Sequence, residues 1–244
     1  MHELDPITAT LNKYFGSLAT QVMHTVHVRP YNPQAPITET FAMELLVLGL
    51  LLVFFLLVRF SLNVENPGTI QQIAEMIHGF VSDQGESIIG HGYQRYVMFA
   101  TCVLLFVLSS NLLGMVPGLI APTSVATVPL GVALWCWFYY HYHGVREQGP
   151  VSYFKHFLGP IWWISPMMLP IELISHLARI LSLTVRLYAN MFAGEEVTLV
   201  FFSLIPIGIP IIFMALHLGV ALIQAYIFML LTMIYVSQAV AHDH

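Results

Sequence analysis

Fifty consecutive positions, 96–145, contain no Asp, Glu, Lys or Arg. One membrane-spanning helix needs about 20 apolar residues, and prolines at positions 117 and 122 interrupt this run near its middle. We therefore predict two spans, over about residues 96–117 and 122–144, joined by a tight turn. Charged residues make up 9% of the chain, against about 25% in soluble domains, so we expect an integral membrane protein.

Two other parts of the chain are apolar enough to enter a bilayer. Residues 41–58 hold one charge, Glu44, and predict a first span over about residues 41–60. Residues from about 157–195 and 197–241 predict a helical hairpin. Its second arm is longer than a perpendicular span requires, so we expect it to tilt.

The segment after the first span has the pattern of an amphipathic helix. Apolar residues recur at helical spacing from Ile70 to Val81, and Pro67 suits a first helical turn. This indicates a helix on the membrane surface or a short helix packed on the spans. The predicted fold is an all-α integral membrane protein of about five to six helices, including the tilted hairpin and this surface helix. Residues 1–40 would be an extramembrane segment and 41–244 a single membrane domain.

Basic residues near span ends favour the cytoplasmic side of a membrane. With the amino terminus outside, four of them fall in cytoplasmic segments: Arg59, Arg95, Arg146 and Lys155. Lys13 and Arg29 oppose this orientation but lie further from a span. The first forty residues lack the features of an organelle-targeting leader. We therefore expect a bacterial plasma membrane rather than an organellar inner membrane.

Composition and motifs exclude several function classes. A net charge of −5 removes the basic surface that nucleic-acid binding needs. The sequence has no G-x-x-x-x-G-K-[ST] run for nucleotide phosphates and no H-E-x-x-H metal motif. We expect no nucleic-acid partner, no metal, no cofactor and no catalytic site in this chain.

Five polar side chains share one face of the helix predicted over residues 167–193. At 100° per residue they fall within about 80° of one another. They are Glu172, His176, Arg179, Arg186 and Asn190. A charge at bilayer depth costs about 2.5–3.5 kcal/mol, so it is kept where it has water, a partner or a function. This stripe is a candidate functional site, and an internal salt bridge or an Arg179 side chain reaching the interface is the structural alternative.

Arg186 is the most informative member of the stripe. The nearest acidic residues on its helix, Glu172 and Glu195, lie about 21 and 14 Å away along the axis. Because arginine does not lose its proton in practice, we expect its counter-charge to come from another helix or another chain.

The last helix carries a second polar stripe, formed by His217, Gln224 and Tyr235. Such a stripe serves either helix packing or a hydrated path. The short connection with Glu195 and Glu196 joins the two arms, so we expect the two stripes to face each other.

The run Arg186–Glu195, RLYANMFAGE, resembles the signature R-L-x-x-N-M-x-A-G-E of the subunit a family of F-type ATP synthases. Residues 111–118, NLLGMVPG, are similar to a second family motif, as is His217 with Gln224 seven positions later. The resemblance implies a stator subunit of the F0 proton channel, with two offset aqueous half-channels. Such a subunit would couple proton flow to rotation and ATP synthesis, while the nucleotide sites would lie on other subunits.

The resemblance also implies roles for individual residues. Arg186 faces the carboxylates of a rotating c-subunit ring and favours their ionised form, so that each releases its proton. The half-channel to the outside would be lined by Asn190, Glu195, His217 and Gln224. Glu172 matches an acidic position of the cytoplasmic half-channel. Possible accessory residues are Arg179, which stands where some relatives carry lysine, His176, for which the family offers no role, and Tyr235.

The implied partners are the c-subunit ring, the b-subunit peripheral stalk, the rest of the F-type ATP synthase and the lipid bilayer. His217 suits proton transfer because imidazole titrates near neutral pH, although sodium coupling stays open.

Two other function classes use the same features. The twelve histidines allow a haem-binding electron carrier, but we place only His176 and His217 deep in the spans, with His141 and His143 near a span end. A self-contained transporter would use the polar stripes for its own substrate. A colourless protein would exclude the first class, and transport by the isolated chain would support the second.

Overall fold

The computed structural model describes residues 6–25, 35–63, 65–116, 118–150, 153, 165–204 and 208–240. These ranges hold seven α-helices and no β-strand, which confirms the all-α fold. The helices are α1 (Pro6–Thr25), α2 (Glu39–Ser61), α3 (Thr69–Ile89), α4 (Gln94–Leu113), α5 (Thr127–Gln148), α6 (Ser165–Leu204) and α7 (Ile209–Val240). A short 3₁₀ turn, Pro122–Ser124, lies between α4 and α5.

Within those described ranges, four helices are long and apolar enough to cross a bilayer: α2, α4, α6 and α7. The remaining predicted span, over about residues 122–144, corresponds to α5, which is not among these four helices. Its 22 residues reach about 33 Å as a helix, but its second half is rich in tyrosine and histidine. Whether α5 crosses the membrane therefore stays a prediction.

The helix α7 lies at the centre of the packing and contacts α3, α4, α5 and α6. Its buried face carries small and flexible side chains, including Ala221, Ala225 and Met229. Small residues let helix backbones approach closely, and the side-chain amide of Asn111 on α4 reaches the carbonyl of Ala221 at 3.1 Å. By contrast, α2 exposes most of its apolar surface, as a helix facing lipid would.

Two helix boundaries and one additional helix differ from the sequence predictions. The first hairpin arm continues to Leu204 instead of ending near residue 195, because Glu195 and Glu196 extend the helix rather than forming the connection. The segment predicted only as extramembrane contains α1, whose Asn12 side chain is hydrogen bonded to both backbone groups of Ile37. Pro67 lies before α3 rather than in its first turn, since Gly68 is the N-cap.

The helix α3 has a buried side and an exposed apolar row. Val81 and Gly85 are buried where it packs on α4 and α7, while Ile73, Met76 and Phe80 stay exposed. An exposed apolar row beside polar residues is typical of a helix at a membrane surface.

Several contacts define an inner end of the bundle, where α3, α5 and α7 finish and α4 begins. Arg95 forms an ion pair with Glu147 at 2.7 Å. The Gln148 side chain donates to the carbonyl of Ala239 at 3.1 Å, and Ser237 donates to the carbonyl of Ile88 at 2.9 Å. Positive charges predict this inner end to be cytoplasmic. The outer end holds the 3₁₀ turn, the end of α6 and the start of α7.

Candidate functional site

The polar stripe of α6 lies along the border between its buried and exposed faces. Leu183, Leu187 and Met191 form the buried face, which packs on the core. His176 sits on the buried side of the border and Arg186 on the exposed side. The stripe therefore leads from the interior of the chain to its surface.

Arg186 presents its guanidinium on that exposed surface. Its one hydrogen bond within the described residues goes to the Ser182 hydroxyl, at 3.4 Å. Within the same residues no carboxylate lies within 4.0 Å of it. A permanent cation on a membrane-spanning helix is thus left without a counter-ion from the described part of its own chain.

Beyond Arg186 toward the outer end, α6 carries Glu195 into a pocket formed by α4 and the 3₁₀ turn. The backbone N–H of Ala121 donates to the Glu195 carboxylate at 3.0 Å. One position earlier, Gly194 lies directly against the ring of His217 on α7, and a Cβ atom at this position would stand 2.7 Å from Nδ1. We call Glu195 and His217 the outer pair.

A buried clamp fixes the turn that holds Glu195. The Thr123 hydroxyl donates to Oδ1 of Asn111 at 2.7 Å, and both side chains are fully buried. Asn111 in turn reaches α7 through the Ala221 carbonyl. The clamp ties α4, the turn and α7 together around the outer pair.

We expect Thr123→Val to lower the melting temperature of the detergent-solubilised protein. It leaves a buried amide oxygen without its donor, which costs about 1–3 kcal/mol. Thr101→Val is the matched control, because the Thr101 hydroxyl bonds only the Val97 carbonyl of its own helix. Equal melting temperatures for the two variants would show that the clamp contributes nothing.

A second polar group lies at the inner end, between α5, α6 and α7. Glu172 contacts Nε2 of His176 at 3.3 Å, and Nδ1 of His176 is 2.9 Å from the Tyr140 hydroxyl. One turn further along α6, the Arg179 guanidinium lies 5.0 Å from the centre of the Tyr235 ring. Glu172, His176 and Tyr140 are called the inner chain below.

The structure adds residues to the inner end that sequence reasoning missed. His141, predicted near a span end, lies with its ring centre 4.7 Å from that of His176. Its Nδ1 is 2.6 Å from the hydroxyl of Tyr153, which lies between α5 and α6. Burial raises the pKa of Tyr153 to about 12, so its hydroxyl keeps its proton at neutral pH. A buried phenol in an apolar helix needs a hydrogen-bond partner, and this signal could have drawn attention to Tyr140 in the sequence.

The two stripes meet, as predicted, where Arg179 lies over the Tyr235 ring, and further along the hairpin Gly194 lies against His217. Asn190 is half-buried one turn beyond Arg186, and Gln224 is buried two turns beyond His217. Neither side chain forms a hydrogen bond with another described residue.

Comparison with known proteins identifies the family of this chain. The model of the family described as ATP synthase A chain matches residues 41–237. The chain belongs to this family, subunit a of the F-type ATP synthases. The family membership confirms the resemblance seen in the signature from Arg186 to Glu195, and with the four apolar helices it makes the chain an integral membrane protein.

Individual subunit a proteins match over most of the chain, one of them over nearly its whole length. ATP synthase subunit a of Koribacter versatilis is 53% identical over 237 residues, which cover 97% of each chain. The subunit a of Solibacter usitatus is 47% identical over 213 residues, covering 87% of this chain and 91% of that one. That of Bdellovibrio bacteriovorus is 40% identical over 177 residues, or 72% of this chain and 77% of its own. Because the match covers 97% of this chain, the similarity to the Koribacter protein extends over most of the first forty residues, which no motif had matched.

Proposed function

We propose that this subunit a provides two offset aqueous half-channels and one arginine that exchanges protons with carboxylates of a c-subunit ring. The observation that carries the proposal is the position of Arg186. It is exposed on the surface of a membrane-spanning helix and has no carboxylate partner among the described residues. A passing carboxylate on another chain supplies the missing counter-charge.

The two polar groups lie on opposite sides of Arg186 along α6. Glu172 is fourteen residues before it and Glu195 nine residues after it, which places them about 21 and 14 Å away. We assign the outer pair, with Asn190 and Gln224, to the half-channel open to the outside. We assign Glu172, with Arg179, His176 and Tyr235 as accessory residues, to the cytoplasmic half-channel.

A fixed cation between the half-channels has two effects. It favours the ionised form of each arriving c-ring carboxylate, which therefore gives up its proton on one side and takes a new one on the other. It also repels protons that would pass directly between the half-channels. Proton flow is thereby coupled to ring rotation.

The proposal includes the location and the partners of the chain. The c ring, the b-subunit stalk and the nucleotide-binding subunits complete the enzyme, and the relatives from Koribacter and Solibacter favour a bacterial plasma membrane. The imidazole of His217 favours protons as the coupled ion, because its ring can both bind and release a proton.

Reconstitution into liposomes tests the proposal against a self-contained transporter. We expect the purified chain alone to carry no proton current under an imposed membrane potential. The F0 complex of this chain with the c ring and the b subunit should conduct, and dicyclohexylcarbodiimide, which modifies carboxyl groups, should block it. Proton transport by the isolated chain at the rate of the complex would overturn the assignment.

We expect His217→Ala and Gln224→Leu each to slow ATP-driven proton pumping in inverted membrane vesicles without abolishing it. Each removes one hydrogen-bonding group, and water can partly replace it in a hydrated path. Leu222→Ala, at an exposed position of the same helix, is the control and should leave pumping unchanged. Normal pumping by both variants would limit these two residues to packing.

A further inference from the structure

The inner chain contains a histidine whose contacts exceed what helix packing requires. His176 lies on the side of α6 that packs on α5, where an apolar side chain of similar size would fill the space. Instead its two ring nitrogens contact two different groups, the Glu172 carboxylate and the Tyr140 hydroxyl. Buried imidazole costs free energy unless both nitrogens are satisfied, and here they are.

Exposure falls steadily along the inner chain. The side chains of Glu172 and His176 are 33% and 9% exposed, and Tyr140 is 2% exposed. The three residues thus form a line of polar contacts from the surface near the inner end into the interior of the bundle, made of the 3.3 Å contact of Glu172 with His176 and the hydrogen bond of His176 with Tyr140.

We propose that His176 is a proton-transfer residue of the inner half of the path, passing protons between the Tyr140 side and Glu172. This inference rests on the proposed function, and it adds Tyr140 and His176 as a specific route. The neutral imidazole accepts at Nδ1 the proton of the Tyr140 hydroxyl, which takes another from half-channel water in the same step, and it becomes imidazolium with hydrogen on both nitrogens. It then releases one proton to the Glu172 carboxylate, which passes it to water, and no other bond changes.

The groups around His176 suit this cycle. Glu172, one turn before it on α6, supplies a carboxylate that can neutralise the imidazolium, and Arg179 lies about one turn further along the same helix. From α5, Tyr140 contributes a hydroxyl that can both donate and accept a hydrogen bond. The ring of His141, also on α5, packs beside the ring of His176. The Tyr153 hydroxyl is hydrogen bonded to Nδ1 of His141, and Tyr235 of α7 lies against Tyr140 with ring centres 5.9 Å apart.

The test is proton pumping, and passive proton conduction through F0, in membrane vesicles that contain the complete ATP synthase or its F0 part. His176→Phe keeps an aromatic ring but cannot bind a proton, and we expect both rates to fall by about 10-fold or more. His143→Phe is the matched control. His143 is another half-buried histidine of this region, and it packs on the Tyr96 ring with centres 5.1 Å apart. Its replacement should leave both rates unchanged.

Chemical rescue separates proton transfer from packing. In vesicles with His176→Ala, added imidazole should restore conduction in a concentration-dependent manner, with a pH dependence that follows the titration of the added base. Sodium chloride at the same concentration should not. If the complex assembles but imidazole restores nothing, His176 is a packing residue and the inference is wrong.

Tyr140→Phe covers the case in which changes at His176 prevent assembly, because it removes only one hydroxyl. We expect slower conduction at normal assembly, and a normal rate would overturn the route. Failure of this inference is distinguishable from failure of the proposed function. If Arg186→Ala stops pumping while His176→Phe and Tyr140→Phe pump normally, only the inference fails.

Discussion

Arg186→Ala is expected to abolish ATP-driven proton pumping by the assembled complex and ATP synthesis driven by a proton gradient. The substitution removes the one described cation that the chain presents on the exposed side of α6 between its two polar groups. A c-ring carboxylate arriving there would find no charge to favour its ionised form, so it would keep its proton. Fluorescence quenching of a pH-sensitive dye in inverted vesicles measures the effect directly.

Two further variants show that the charge itself is responsible. Ser182→Ala removes the only described hydrogen-bond partner of Arg186, at 3.4 Å, and should leave pumping near normal. Arg186→Lys keeps a cation, but an ammonium loses its proton more readily in an apolar site and has no planar fork for a carboxylate. We therefore expect Arg186→Lys to pump far below the normal rate.

Immunoblots of the membranes must show normal amounts of subunit a in each variant, so that a loss of pumping is not a loss of assembly. Arg186 makes no contact in the described core, which favours normal assembly. Normal pumping by an assembled Arg186→Ala complex would contradict the proposed function.

Hydropathy and helical periodicity were sufficient to predict the apolar helices and the polar stripe of α6. Both depend on local properties of the chain, namely the length of uncharged runs and the 100° rotation per residue. The separation of Arg186 from acidic residues could also be computed from sequence, since it depends only on the helical rise.

The partners of the stripe residues could not be predicted in the same way. Tyr140 and His176 meet only because α5 and α6 pack with particular rotations about their axes, which sequence spacing does not determine. The boundary at Leu204 was also missed, because Glu195 and Glu196 are compatible with helix as well as loop. Pro206, which cannot continue a helix, was the better signal for where the arm ends.

Gly194 is the position where added volume should harm the outer half-channel most. A Cβ atom there would lie 2.7, 2.8 and 3.0 Å from Nδ1, Cε1 and Cγ of His217. Because Cγ sits close to the α7 backbone, rotation of the ring cannot relieve all three contacts, and α6 and α7 must separate. Overpacking of this kind costs about 1–3 kcal/mol.

We expect Gly194→Ala to reduce pumping severely and Gly194→Val to eliminate it, with less subunit a retained in the complex. The matched control is Gly219→Ala on α7, two positions from His217, where a Cβ atom meets nothing within 4 Å. In a helix the same change stabilises by about 0.5–1 kcal/mol, so the control should be neutral or slightly favourable. Equal behaviour of Gly194→Ala and Gly219→Ala would refute the close contact.

A double variant tests whether the harm comes from His217 itself. Truncating the ring makes room for the new methyl group, so Gly194→Ala combined with His217→Ala should pump as well as His217→Ala alone. Contacting residues show such non-additivity, whereas independent sites do not. If the losses of the two single variants simply add, the two arms of the hairpin do not meet at this point, and the assignment of Glu195 and His217 to one half-channel loses its structural support.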